Sequence, residues 1–182
     1  MSFTNFFQEG NLPNSELKRN TINFSASHQL TDKLKASAVL NFVKTNGLGR
    51  YGTGYDGNNQ LISFRQWWQV NVDMAEQKDA YFRLKQNATW NPLGADNLRP
   101  IYTDNAYWGW YENFSTDSRN RYYGNLVLNY QITDWLSALA RFTFDTYSEL
   151  REERTEVGSV NIPGYIRQDN NLAEYNLSLI HI

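Results

Sequence analysis

Apolar and polar residues alternate along two stretches of the chain, and the same short turn interrupts both. The first is "SHQLTDKLKASAVL" at residues 27–40, and the second is "NYQITDWLSALARF" at residues 129–142. A period of two predicts β-strands with one apolar and one polar face. The Thr-Asp pair between the alternating runs predicts a tight hairpin turn. The sequence therefore predicts two hairpins, at about residues 21–44 and 121–148.

The whole alternation predicts an all-β fold of six antiparallel strands. Each predicted strand has about ten alternating residues, close to the roughly 9–11 that a tilted strand needs to cross a bilayer. The strands are expected to begin at Ser2, Thr21, Leu34, Tyr122, Leu136 and Tyr165. With the two short turns at one rim, the long connections fall at the opposite rim. The longest covers about residues 45–119, where glycine, proline, asparagine and aspartate are typical of a loop.

An amphipathic sheet fits a soluble sandwich as well as a membrane barrel, and the soluble sandwich is the commoner class. Two features favour the barrel. Arginine, aspartate, asparagine and glutamine lie deep within the polar faces, which suits a water-filled lumen. Aromatic residues cluster near the strand ends, where interface girdles lie: Phe42, Tyr130, Trp135, Phe144 and Tyr147. A mean hydropathy of −0.65 does not oppose a barrel, because its lumen and loops are polar.

Four segments of the sequence resemble the barrel of SusC/RagA-type TonB-linked outer-membrane proteins of Bacteroidetes. They are "GNLPNSELKRNTINFSASHQLTDKLKASAVLNF", "FRQWWQVNVDM", "ENFSTDSRNRYYGNLVLNYQITDWL" and "DTYSELREERTEVGS". The resemblance runs from about Phe7 to Asn176. It implies a 22-stranded transmembrane barrel with long extracellular loops, closed by an N-terminal plug. It also implies import powered by TonB with ExbB and ExbD, and a SusD-like surface lipoprotein that captures glycans, or peptides in some members.

The resemblance covers only part of the family's architecture. Residues 1–176 are expected to be a partial barrel domain, with about six strands of the larger barrel in outer-membrane lipid. The signal peptide, the TonB-contacting segment and the plug are not matched, so contact with TonB would use a missing N-terminal part. The last six residues, "LSLIHI" at 177–182, are expected to be read-through of a sequencing adapter. The alternative is a genuine apolar end of a strand.

Composition and charge exclude several other classes of function. A net charge of −2 gives no basic surface for nucleic acid. No cysteine and only two isolated histidines are present, so neither a metal site nor a cofactor is expected. A glycosidase needs two carboxylates that converge across a cleft. Asp73, Glu76 and Asp79 offer acids, but nothing in the sequence makes them converge, so no enzyme and no catalytic residue is predicted.

Aromatic side chains are dense in the long loop. The apolar face of a sugar ring lies flat on an aromatic ring, and asparagine or aspartate can bond its hydroxyl groups. The polar residues nearby are Asn87, Asn91, Asp104 and Asn105. The candidate residues for contact with a ligand or partner are Tyr107, Trp108, Trp110, Tyr111 and Trp90. Alternatively, these rings only fold the loop onto itself, onto the rim or onto the lipoprotein.

The sequence thus leads to two functional hypotheses. The first is a fragment of a TonB-dependent outer-membrane importer for glycans or other oligomeric nutrients, such as peptides, working with a SusD-like lipoprotein. The alternative is a soluble all-β carbohydrate-binding module with aromatic rings on an exposed face. Partition into a membrane or detergent separates them. The sequence does not indicate which substrate is transported.

Overall fold

Most of the chain lies in one antiparallel sheet. The computed structural model describes residues 1–50, 55 and 59–181. The strands are β1 Ser2–Glu9, β2 Glu16–Thr31, β3 Leu34–Leu48, β4 Pro92–Gly94, β5 Asn97–Pro100, β6 Ser115–Thr133, β7 Leu136–Thr155 and β8 Gly164–His181. Six of them form the main sheet in the order β1-β2-β3-β6-β7-β8, and β4 pairs with β5. The sheet is not closed, and the predicted antiparallel all-β fold is confirmed.

The two short turns are built alike, as the repeated sequence predicts. Each follows a register shift, one between Gln29 and Thr31 and the other between Gln131 and Thr133. The side-chain amide of each glutamine donates to the carbonyl oxygen of the threonine two residues on, at 2.7 and 2.6 Å. In the first turn, the Thr31 hydroxyl also accepts from the backbone N–H of Leu34. The recurring Gln-x-Thr-Asp sequence is therefore a local hydrogen-bonding unit.

The strands of the two hairpins are longer than the sequence predicts. β6 and β7 have 19 and 20 residues, although about ten alternating residues were expected in each. The additional part of β6 is "STDSRNR" at residues 115–121, which is polar on both faces. Without an apolar face there is no period of two to detect, yet the backbone ladder continues. The predicted loop at about 45–119 is correspondingly shorter and covers residues 49–114.

The sheet has one uncovered face of large apolar side chains, called the apolar face here. Register places Ala26, Ala38, Leu126, Phe142 and Leu177 in one row across five strands. Large exposed side chains on this face are Phe24, Leu30, Leu40, Leu126, Leu128, Phe142, Leu177 and Leu179. Within the described part of the chain, nothing covers these side chains.

An aromatic residue marks the edge of the apolar face on each strand of the main sheet from β1 to β7. On β1 it is Phe7, which pairs with Lys18 of β2. On β2 it is Phe24, and the hydrogen-bonded row of Phe144 on β7 reaches the same residue. Phe42 of β3 and Tyr122 of β6 pair with each other, two residues from that row, so the edge is almost level from β2 to β7. Tyr147 is not part of this edge, although it was predicted to be, because its register places it on the opposite, polar face.

The segment at residues 49–114, called the insertion here, is folded rather than a structureless loop. It contains α1 Gln60–Ile62, which continues into a π-helical turn at Ser63–Trp67, then α2 Met74–Leu84, the β4–β5 hairpin and α3 Ala106–Tyr111. Its described buried apolar residues are Tyr81, Ala88, Ala106 and Trp110. No helix in the described ranges is long and apolar enough to cross a membrane. The buried core thus lies in the insertion and not in the sheet.

Candidate functional site

The helices of the insertion begin at capping residues that the sequence analysis did not recognise. Asp73 accepts a hydrogen bond from the N–H of Ala75 at 2.7 Å and starts α2, with Glu76 in the first turn. Asp79 pairs with Arg83 one turn later on the same helix. The three acids therefore follow one another along α2 and do not face each other across a cleft. An acid at the cap with glutamate three residues on is a helix-start signal that could have been found.

The predicted aromatic residues meet inside the insertion. Four of the five lie on or at the end of α3, and Trp110 is only 4% exposed. Tyr107 meets the ring of Trp110 edge-on, with centroids 5.2 Å apart. Tyr111 stacks on Tyr81 of α2 at 5.7 Å. Trp90 lies apart from these rings and packs edge-on against Trp68 at 6.1 Å. These contacts fold the insertion onto itself, and direct contact with a ligand stays a prediction.

Trp108 is the candidate residue that borders open space. It lines a cavity of about 440 Å³ together with residues from the end of α2 and from the β4–β5 hairpin. Its indole N–H donates to the hydroxyl of Ser159 at 2.9 Å, which fixes the ring. Lys85, Asp96 and Arg99 supply charges around the same cavity. A fixed indole beside several polar groups is the arrangement that binds a sugar or an amide-rich ligand.

The asparagines that were expected to meet sugar hydroxyls are instead buried and bonded to the backbone. The side-chain oxygen of Asn91 accepts from the N–H groups of Ile101, Tyr102 and Thr103 at 2.8–3.2 Å. The side chain of Asn105, fully buried, donates to the carbonyl oxygens of Gln77 and Ala88 and caps α3. These amides hold the insertion together, so they are not available to a ligand.

A second part of this network joins the insertion to the β7–β8 connection. Asp104 accepts from the N–H of Val160 at 2.7 Å, and the Asn87 amide donates to the carbonyl oxygen of Gly158 at 3.0 Å. Asn113 accepts from the N–H of Glu156 at 2.8 Å. The polar residues that meet here are buried, and buried polar groups are costly unless they are bonded. The insertion and the β7–β8 connection therefore form one folded unit.

The chemistry of this unit is inferred from its geometry. Comparison with protein-family models, curated proteins and solved structures found no match. Among the described residues, no group of three or more histidine, cysteine, aspartate or glutamate side chains is placed to hold a metal ion. Among the described residues, this unit has a packed aromatic cluster and a cavity at Trp108 with charged residues around it. Those features suit binding of a polar ligand such as a sugar.

Asp104 gives the unit a dependence on pH. Burial raises the pKa of its carboxyl group, although hydrogen bonds from Asn87 and from the N–H of Val160 act in the opposite direction. The folded form therefore holds the proton more tightly than the unfolded form does. Stability then falls as pH rises from the usual carboxyl pKa, roughly 3.9, through the folded value. The destabilisation is fully present once the pH is above the pKa of the folded form.

Asp104→Asn separates this effect from the other carboxyl groups of the chain. On acidification from pH 7 to pH 4, we expect the wild-type insertion to gain stability relative to the variant, because only the wild type takes up a proton at this position. Amide hydrogen exchange of residues 104–113, measured on both proteins at each pH, gives the comparison. Parallel pH profiles for the two proteins would show that Asp104 is not the titrating group.

Proposed function

We propose that the chain is part of a TonB-dependent outer-membrane importer of the SusC/RagA type, in which the sheet is an arc of the barrel wall. The observation that supports this is the apolar face, uncovered and bounded by aromatic residues. On β6 the apolar positions run from Tyr122 to Ile132, about the 9–11 residues of a membrane-crossing strand. Soluble monomers rarely expose a continuous apolar surface of more than a few hundred Å².

The stagger of the two short turns supports a tilted wall in a flat bilayer. Neighbouring strands lie about 4.8 Å apart and rise about 3.3 Å per residue, so a plane crossing strands tilted by ~40° shifts by about 1.2 residues per strand. From the first hairpin to the second there are two strand steps in the sheet order, which predicts a shift of about two residues.

The turns shift by a similar amount. Leu34, the first residue after the first turn, pairs with Tyr130 of β6, whereas β6 continues to Thr133 before the second turn. The second turn therefore lies three residues further along, over two strand steps. In the importer the short turns face the periplasm, and the insertion lies on the cell surface. There its aromatic cluster and the cavity at Trp108 contact an oligosaccharide or peptide ligand, or the SusD-like lipoprotein.

Labels at neighbouring positions on the two faces test the proposal. Because the chain has no cysteine, Leu128→Cys and Asn129→Cys each accept a single environment-sensitive dye. Both positions are exposed, and they lie on opposite faces of β6. In detergent micelles, we expect blue-shifted emission at position 128, quenched by a brominated detergent, and aqueous emission at position 129. The two labelled positions lie on opposite faces of the sheet but at nearly the same depth in the micelle.

The soluble alternative makes the opposite prediction for the same two proteins. A carbohydrate-binding module would fold in plain buffer, with a cooperative thermal unfolding transition and no requirement for detergent. Equal aqueous emission from both labels in micelles, together with such a transition, would reject the importer. TonB, ExbB and ExbD engage the parent protein through parts other than the sheet and the insertion.

A further inference from the structure

The polar face of the sheet carries a cavity of about 390 Å³ rich in arginine. Its floor is formed by β2, β3 and β6, and its lining residues are Arg19, Thr21, Val43, Thr45, Arg119, Arg121 and Tyr123. It lies on the opposite face from the exposed leucine and phenylalanine side chains. The part of it lined by Thr45 and Arg119 lies on the side of the insertion, because these residues are further from the short turns than Phe42 and Tyr122 are.

Two arginines flank one hydroxyl-bearing residue. Arg19 of β2 pairs with Thr45 of β3, and Thr45 pairs with Arg119 of β6. The three residues thus form one row, and two strand spacings of about 4.8 Å place the arginine backbones roughly 10 Å apart. The guanidinium groups lean towards the outer strands, so they border the cavity from two sides with Thr45 between their backbones.

Aromatic rings fix the direction of both guanidinium groups. The guanidinium of Arg119 lies 4.1 Å from the centroid of the Tyr147 ring, and that of Arg19 lies 5.2 Å from the Phe6 ring. A guanidinium that stacks on a ring keeps its N–H edge directed sideways. Stacking orders both donors before any ligand arrives.

The acidic residues around the cavity have other partners. Asp145 forms a two-point ion pair with Arg121, and Glu149, opposite Arg119 on β7, pairs with Arg151. Within the described residues, no ion pair is formed by Arg19 or Arg119. The Nε of Arg119 is also buried without a hydrogen-bond partner there. A buried charged donor without an acceptor is costly, and an anionic ligand beside the guanidinium would offset its charge.

We propose that Arg19, Thr45 and Arg119 form a binding site for an oxyanion, a carboxylate or sulfate group carried by an oligosaccharide. A planar carboxylate or a sulfate matches the paired N–H donors of a guanidinium. Identifying the site as a stage in import rests on the proposed function, since only then does the polar face line the lumen. The transported oligomer is then acidic and meets these arginines after leaving the insertion.

Binding measured by calorimetry on the full chain in nonionic micelles tests the site. The probes are a glucuronate-containing disaccharide and its neutral counterpart, with inorganic sulfate as competitor. We expect the charged sugar to bind, the neutral one to bind at least tenfold more weakly, and sulfate to compete. Arg119→Gln and Arg19→Gln should each weaken binding of the charged sugar by about tenfold, the usual loss for one charge-assisted hydrogen bond.

Arg141→Gln is the matched control. It removes the same charge from the same face of the sheet, on β7 and away from the lining residues of the cavity. We expect its affinity to equal that of the wild type. Arg19 is exposed, so its replacement tests the site even if Arg119→Gln disturbs packing on Tyr147. Equal losses in all three variants, equal binding of both sugars, or binding of a polyglutamate peptide alone would overturn the proposal.

The importer and the oxyanion site can be rejected independently of each other. Dye emission at positions 128 and 129 reports the apolar face, whereas calorimetry reports the arginine cavity. Blue-shifted emission at position 128 without binding of the charged sugar removes the oxyanion site and leaves the importer. Binding of the charged sugar with aqueous emission at both positions keeps the site and removes the importer.

Discussion

Asn105→Ala is expected to unfold the insertion and to leave the six-stranded sheet intact. The Asn105 side chain is fully buried and makes three hydrogen bonds, to the carbonyl oxygens of Gln77 and Ala88 and from the N–H of Tyr107. Alanine removes the cap of α3 and leaves the carbonyl oxygen of Ala88 and the N–H of Tyr107 without this partner, at about 1–3 kcal/mol each, whereas the carbonyl oxygen of Gln77 also lies within the hydrogen-bond ladder of α2. A total loss of about 2–6 kcal/mol is comparable to the whole stability of a segment of this size, about 3–10 kcal/mol.

Hydrogen exchange followed by mass spectrometry resolves the two regions. In the variant, amides of residues 74–90 and 104–113 should exchange rapidly, while those of β6 and β7 stay protected. Asn97→Ala is the control, because Asn97 is exposed and accepts one backbone hydrogen bond in the β4–β5 hairpin. We expect it to cost less than about 1 kcal/mol. Comparable exchange in both variants would mean that the buried network does not hold the insertion.

Leu126→Arg is expected to destabilise the sheet strongly in a lipid or micellar environment. Leu126 lies in the middle row of the apolar face, between Ala38 and Phe142. An arginine on the lipid-facing surface of a barrel costs about 2–4 kcal/mol near the midplane of the bilayer. A urea titration of the chain in micelles, followed by circular dichroism of the sheet, measures the change in the free energy of unfolding.

Asn125→Arg supplies the comparison at the same depth on the polar face. Asn125 pairs with Val39 and Thr143, in a row that is otherwise mostly polar. We expect the free energy of unfolding of this variant to lie within about 0.5 kcal/mol of the wild-type value, as for substitutions at solvated positions. If the two variants lose the same stability, the leucine face is not in contact with hydrocarbon. A larger loss for Asn125→Arg would reverse the assignment of the faces.

The sheet was predictable because its signals are local and periodic. Six strands begin within a few residues of their expected positions, except where the polar outer halves of the strands extend further. The turns followed from Gln-x-Thr-Asp, a unit of four residues. Tyr147 was misplaced because nearness to the end of a strand was given more weight than its odd register. Counting residues from Phe144 would have placed it on the polar face.

The insertion was less predictable because its structure depends on contacts between distant residues. The sequence indicated that aromatic residues were concentrated there, but not that Trp110 would be buried against Phe64 and Tyr107. Asparagine in a loop can bind a ligand or the backbone, and only the fold decides between them. Asn113 meets residues more than 40 positions away. No local pattern encodes that pairing.

The insertion enters and leaves the sheet through neighbouring strands, which makes it exchangeable. Its ends meet where the N–H of Gly49 donates to the carbonyl oxygen of Ser115, so the pairing of β3 with β6 does not depend on the length of the insertion. Doubling a closed loop costs only about 0.6 kcal/mol in chain entropy. However, the Asn14 side chain donates to the carbonyl oxygen of Trp110, and Asp104 accepts from the N–H of Val160. A new binding surface could therefore be grafted onto this sheet, provided that the β1–β2 and β7–β8 connections were transplanted with it.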